Sequence, residues 1–550
     1  MTTSGQVSFV LSSAAEAGSS HSSSSSASSS QKSSPLQSTP PWQGRDGEMP
    51  ALSFAVDLEK GLSKTASTHS LPPLPSKSHT PSRTPLPESL EPGTDPLEWP
   101  EWYKAWANTT YCLLILCTTY SSSAFAPSAK QVQHAFNVDY HVAICGTSLY
   151  VLGFALGPLL FGPLSELQGR KVVYVGAFIL LTAFNLGACL APNIELLLIF
   201  RLLGGICGSS ALNNVASSIV DMTRVRNRLR YNVAYRLVSF GGPTLGPLVA
   251  TFITEEVGWR WNLRTLPIFS AVVLALYAFT VPESHRATLL RRQRRRRGEK
   301  EFGEDGKQMP SLSISQRYAI ALKRPFVFMF TEPVIIIVGL YTALLYGLLY
   351  GTLAAFPVVW QEIRGRSPEY ASLTYLSILG GFTLGALIIG CFLQDWQFKR
   401  AYDEHRYVPE TRIGPATWAG FAVPLGLFLF AWTAPYDALV GPVDVHYIIP
   451  CFALIIFAFG MQVVFNSWLS YAADSYGASS ASAMAACTFS RSLLGAAFPL
   501  FMSDVINKTS VQATFTFLGC LSLILSFGSI AFVRYGHMLR AKSRFATDPE

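Results

Sequence analysis

Beyond residue 98 the chain alternates long apolar runs with short polar breaks. Twelve runs stand out, at approximately 106–127, 141–161, 172–191, 195–220, 231–254, 261–281, 333–357, 371–393, 414–434, 446–470, 480–503 and 511–533. A helix needs about 20 apolar residues to cross a hydrocarbon core roughly 30 Å thick, and each run is near that length. The pattern predicts an all-α integral membrane protein with twelve transmembrane helices. Six runs precede and six follow a hydrophilic stretch, which suggests an internal repeat. Two six-helix bundles are therefore expected, at 99–281 and 331–535, joined by a basic loop over 282–330 and followed by a short tail over 536–550. Residues 1–98 are rich in Ser and Pro, have few large apolar residues and show no period, so they are expected to form a disordered tail.

Composition agrees with bilayer burial. Hydrophobic residues make up 49% of the 550 positions and charged ones 14%, against about 25% charged in an ordinary soluble domain. The nine cysteines include no CxxC pair, so neither a disulfide framework nor a metal site is expected. The net charge of +8 is concentrated in particular loops: Arg170 and Lys171, Arg224 to Arg230, Arg291 to Arg297, Lys399 to Arg412, and Arg534 to Arg544. Placing these loops on one side leaves few cations opposite, namely Lys130, Arg260, Arg364, Arg366 and Lys508. By the positive-inside bias both termini are cytosolic. The arginine run at 291–297 is then expected to meet anionic lipid and not nucleic acid. Asn507 of Asn507-Lys508-Thr509 falls in an outer loop as a glycosylation acceptor. No phosphate-cradling loop is present, so ATP-driven pumping has no support. The His134 to Asp139 spacing matches an acyltransferase pattern too short to carry weight.

Three constellations carry chemistry. Between the second and third runs, Gly162-Pro163-Leu164-Ser165-Glu166-Leu167-Gln168-Gly169-Arg170-Lys171 combines a carboxylate, a turn glycine and two cations. Such charges can pair with helix termini in one conformation and release them in another, or serve only to set topology. In the fifth run, Gly242, Pro243, Gly246 and Pro247 allow close helix packing and a bend. Arg201 and Arg491 lie inside apolar runs, where a cation is costly enough to suggest function, with a structural ion pair as the competing account. Glu166, Asp221, Glu332, Asp474 and Asp504 all sit at run ends, and no carboxylate occupies the middle of one. Polycations are thereby disfavoured as cargo, and a neutral, amphiphilic or anionic molecule is favoured. Tyr346, Tyr350 and Asn466, with Arg491, are the candidates to line a central cavity.

Gly162, Leu164, Glu166, Gly169, Arg170 and Lys171 resemble the cytosolic gate motif of the major facilitator superfamily, with Glu166 in place of the usual Asp. The string GPLSELxGRK is similar to the fungal branch of twelve-span drug:proton antiporters. Asp95-Pro96, Trp99-Pro100, Arg201 with Gly205, Asp221-Met222, Gly258-Trp259-Arg260-Trp261, Pro282-Glu283, Arg324-Pro325, Pro409-Glu410 and Arg491-Ser492 extend the likeness. GPxxGP resembles the antiporter motif, although Val249-Ala250 stands where relatives have Gly-Gly and Leu229 where they have Gly. The resemblance implies a proton-antiport efflux transporter of a fungal cell, in the plasma membrane. It would need no cofactor beyond the proton gradient, act as a monomer on a small-molecule substrate, and be no enzyme. Arg201 would take part in proton coupling, and Asp221 would join Arg170 in the gate. Alternatives are an uptake symporter, suggested by Pro282-Glu283-Ser284, and a sensor signalling through the serine-rich tail.

Overall fold

The computed structural model describes residues 90, 93–224, 228–297, 314–389, 400, 409–435, 445–476, 480–543 and 545–546. The serine-rich tail up to residue 89, the middle of the basic loop, the end of the eighth run and most of the loop around Lys399 and Arg406 lie outside the described residues. Seventeen α-helices matter here: α1 Glu101–Ser123, α2 Ala129–Phe136, α3 Tyr140–Gln168, α4 Arg170–Leu190, α5 Ile194–Met222, α6 Arg228–Val257, α7 Trp259–Thr280, α8 Arg286–Arg296, α9 Ile314–Thr331, α10 Pro333–Phe356, α11 Pro368–Leu373, α12 Tyr375–Ile388, α13 Gly414–Ala419, α14 Ala422–Thr433, α15 Ile448–Ser475, α16 Ser480–Lys508 and α17 Val511–Ala541. Twelve stretches among them are long and apolar enough to cross a membrane.

Local chemistry sets the ends. Asp139 caps α3 by accepting from His141 N at 2.8 Å, and Asn193 caps α5 by accepting from Leu196 N at 3.1 Å. Gly169 alone connects α3 to α4, and Gly258 alone connects α6 to α7, at φ 101° and 86°. Only glycine takes that conformation without steric cost, so each tight reversal depends on one residue.

Several boundaries differ from the apolar runs. The first helix ends at Ser123, and along its polar end Thr118, Thr119 and Ser121 satisfy their hydroxyls inside the bundle by returning them to the carbonyls of Leu114, Ile115 and Cys117. The stretch expected as a loop over 282–330 is partly helical. Arginine is a good helix former, and Arg294, Arg295 and Arg296 favour the C-terminal end of the α8 dipole. The ninth run divides at Gly420 into α13 and α14, and α17 continues past residue 535 to Ala541.

The first six spans meet the last six along two seams, α3 against α16 and α6 against α12. Tyr111, Tyr150, Tyr174, Trp360 and Trp468 are fully buried, whereas Phe279, Phe517 and Ile524 are exposed on the outside. Water would penalise that exterior and lipid does not. Tyr103, near the start of α1, donates to the carbonyl of Thr280 at the end of α7 at 2.7 Å. Near the end of α17, Ser543 donates to Glu332, which also accepts from Tyr476 at 3.0 Å. These contacts mark one face of the bundle, the face of the described termini.

Candidate substrate cavity and gates

A cavity of about 460 Å³ lies between the two helix sets. It runs from Glu166, Arg170 and Asp474 at its mouth on the face of the termini to Tyr346, Phe465, Asn466 and Arg491 at its depth. The opposite face is drawn together. There Lys130 pairs with Glu362 at 3.1 Å, His141 Nε2 lies 3.3 Å from Asp504 Oδ2, and Ser122 shares a 2.8 Å hydrogen bond with Tyr350, each joining the first six spans to the last six. The conformer is therefore open at the termini and shut at the other end.

At the mouth, the α3–α4 reversal carries the first charge cluster. Arg170 is buried; its Nε donates to Asp221 Oδ2 at 3.2 Å and its Nη1 to Ser165 Oγ at 2.5 Å. Glu283 completes the cluster. Buried, it accepts from the backbone N–H groups of Arg170 at 2.8 Å, Lys171 at 3.2 Å and His285 at 3.0 Å, so a remote carboxylate caps the start of α4. A Cβ on Gly169 would collide with that carboxylate, a second reason for glycine at the turn. Sequence reasoning noted Glu283 only as part of a family string and missed its partnership. Glu166 was expected among the gate charges, but its side chain is exposed at the mouth and forms no ion pair among the described residues. Its carboxylate acts on Arg170 by charge alone, and its carbonyl accepts from Arg291 at 2.9 Å. Gly162 faces open space, with nothing a Cβ would meet. Beside the cluster, burial first and then the cations Arg170 and Arg291 lower the imidazole of His285 from 6.5 to about 4. On the other half, Arg412 Nε pairs with Asp474 Oδ2 at 2.8 Å.

Arg201 lies at the closed end, outside the cavity lining. It is 1% exposed, donates to the carbonyls of Gly146 at 2.9 Å, Ser121 at 2.9 Å and Ser122 at 3.2 Å, and sits 4.3 Å from the Tyr150 ring. A guanidinium on the last carbonyls of α1 is held by the negative end of that helix, and among the described residues no carboxylate pairs with it. The antiporter glycines serve the same helix. α6 stays one helix through Pro243 and Pro247, and a Cβ on Gly242 or Gly246 would overlap Thr119 or Ser123 of α1.

Three of the four cavity candidates line it: Tyr346, Asn466 and Arg491. Tyr350 does not; its hydroxyl is committed to Ser122 at the seam. Arg236 was missed. It lines the cavity, donating to Asn466 O at 2.8 Å and Ser470 Oγ at 3.1 Å, and is a further arginine inside a span, as Arg201 and Arg491 are. The depth argument that singled out Arg201 applies to it, but it follows the loop arginines so closely that periodicity does not set it apart. Asn507 is exposed in the last turn of α16, on the closed face. Asp139 serves as a helix cap and His134 is exposed, so the acyltransferase pattern assembles no site.

Comparison with known proteins agrees with this architecture. The family profile described as Major Facilitator Superfamily matches residues 111–499. The chain is 36% identical over 81% of its length to the MFS-type efflux pump MFS2 of Trichophyton rubrum, covering 75% of that protein. It is 36% identical over 82% of its length to the efflux pump FUBT of Fusarium oxysporum, covering 75%. It is 31% identical over 88% of its length to the multidrug transporter FLU1 of Candida albicans, covering 81%. Among solved structures, the proton:xylose symporter XylE superposes with a TM-score of 0.57 at 16% identity, over 79% of this chain and 97% of that one. The chain therefore belongs to the Major Facilitator Superfamily, as a multi-pass membrane transporter, not an enzyme, of the branch that holds the fungal drug efflux pumps.

Proposed function

We propose that this transporter exports a neutral, amphiphilic or anionic small molecule from a fungal cell, in exchange for protons, across the plasma membrane with both termini in the cytosol. The carrying observation is the cavity that opens on the face of the termini and is sealed on the other, with carboxylates only at its mouth. Cargo enters from the cytosol, the two helix sets rock about the seams, and the pairs at the far face part. The gate around Arg170, Asp221 and Glu283 then moves against the partner half, and Glu166, exposed in this conformer, becomes available to it. Arg201 supports coupling: a cation bonded to the end of α1, including the carbonyl of Ser122 whose hydroxyl meets Tyr350, links charge to the seam that must open.

Membrane vesicles holding the purified protein test this. An acid interior should drive uptake of a fluorescent amphiphile when the termini face outward, and collapse of the proton gradient should abolish it. Transport down its own gradient, indifferent to the pH difference, would overturn proton exchange.

A further inference from the structure

Arg491 is 8% exposed, lines the cavity, and forms neither a hydrogen bond nor an ion pair among the described residues; its Nε is a buried donor without an acceptor. Its guanidinium stands 5.5 Å from the ring of Tyr346 and 5.4 Å from that of Phe465. Arg236 reaches the carbonyl of the neighbouring Asn466, so both guanidiniums contact the same short segment of α15. Asp474, one turn beyond Ser470, acts on Arg236 by charge alone, and Arg491 pairs with no acid among the described residues. The carboxylates lining the cavity are Glu166 and Asp474, both at the mouth, and Asp474 is paired with Arg412.

Two cations deep in the spans, one with no carboxylate partner and the other reached only by a carboxylate already paired with Arg412, are costly unless something bound offsets them. A guanidinium fork matches a carboxylate in shape as well as charge. The wall beside it is aromatic: Phe240 packs edge-on to Phe465 at 4.6 Å and lies 6.4 Å from Tyr346. Resting on the export reading above, we infer that the cargo is an organic carboxylate with an apolar body, its carboxylate held by Arg491 and Arg236 and its body laid against Phe240, Phe465 and Tyr346. Neutral analogues bind the wall alone and organic cations are repelled.

Isothermal titration of the purified protein, with empty detergent micelles as blank, uses three probes of one shape: 4-phenylbutanoate, 4-phenylbutanamide and 4-phenylbutylammonium. The acid should bind about tenfold or more tightly than the amide, since a hydrogen bond to a charged group contributes enough for that factor, and the ammonium should not bind. Arg491→Gln should bring the acid down to the level of the amide, and Arg491→Lys should keep part of the preference. Arg491→Met should lose the preference while raising the unfolding temperature of the unliganded protein, an effect opposite to that of losing a structural side chain. Failure of the wild type to bind the acid, equal binding of acid and amide, or a preference that survives Arg491→Gln overturns the inference. If the Arg491 variants do not fold, the ranking of probes on the wild type decides. Selective binding of the acid without gradient-driven transport would instead overturn the export reading and leave the carboxylate site standing. Gradient-driven export of an amphiphile with no preference for the acid would do the reverse.

Discussion

Replacing Glu283 should loosen the α3–α4 reversal more than any exposed charge of the gate. The carboxylate accepts three backbone N–H groups, of which that of Arg170 is fully buried and those of Lys171 and His285 partly so. A buried donor left without an acceptor costs about 1–3 kcal/mol, and a partly buried one recovers much of that from water. Loss of a helix cap alone costs about 0.5–2 kcal/mol. The nearby Arg292 is 4.0 Å away and half-exposed, and contributes little. Glu283→Ala is therefore expected to destabilise the reversal by about 2–4 kcal/mol, and Glu283→Gln, which keeps one acceptor, by roughly half as much. Hydrogen exchange measures this directly. At tenfold per 1.4 kcal/mol, the Arg170 and Lys171 amides should exchange roughly thirty to several hundred times faster in the alanine variant. Exchange at wild-type rates in both variants would show that the carboxylate does not hold the start of α4.

Other substitutions test separate parts of the mechanism. Arg201→Ala should abolish gradient-driven transport with little loss of protein in the membrane; a well-expressed variant that transports normally would remove Arg201 from coupling. Gly246→Leu should drive α6 from α1, because even a Cβ there overlaps Ser123, and the yield of folded protein should fall sharply; normal yield and activity would refute the close contact. Gly162→Ala, by contrast, meets nothing in this conformer and gains helix propensity within α3, so its unfolding temperature should be no lower than wild type, and any loss of transport would report a contact made in the opposite conformer. His285 is held neutral, its folded pKa of about 4 lying below the ordinary 6.5. The unfolded chain takes up that proton first as pH falls. The stability contributed by neutral His285 is thus complete above 6.5 and drains away toward 4, and His285→Gln should flatten the loss of thermal stability in that window. An unchanged pH profile in the variant would contradict this.

What was legible in the sequence follows from how many constraints act on each residue. The bilayer demands twelve apolar stretches whatever their partners, so the spans could be read from the chain alone. Their ends could not, because α1 stops at Ser123 inside its run and arginines extend helix into the expected central loop. Arg170 and Gly169 stand out as a charged tight turn by being local to one stretch of chain. Glu283 lies 113 residues from Arg170, and nothing in the spacing joins them. Tyr350 and Tyr346 look alike on one helix, but the first is held at the seam and the second faces the cavity, a distinction made by Ser122 of α1.

The two polar contacts at the shut end, the ion pair of Lys130 with Glu362 and the approach of His141 to Asp504, are each about half exposed. Bonds of this kind contribute roughly 0–1 kcal/mol and weaken as electrolyte is added. A clasp undone on every turnover has reason to be that shallow, since a deeper one would trap the pump between strokes. The composition of the fluid bathing that face thus becomes a control on resting posture, with brine favouring release and fresh water favouring closure.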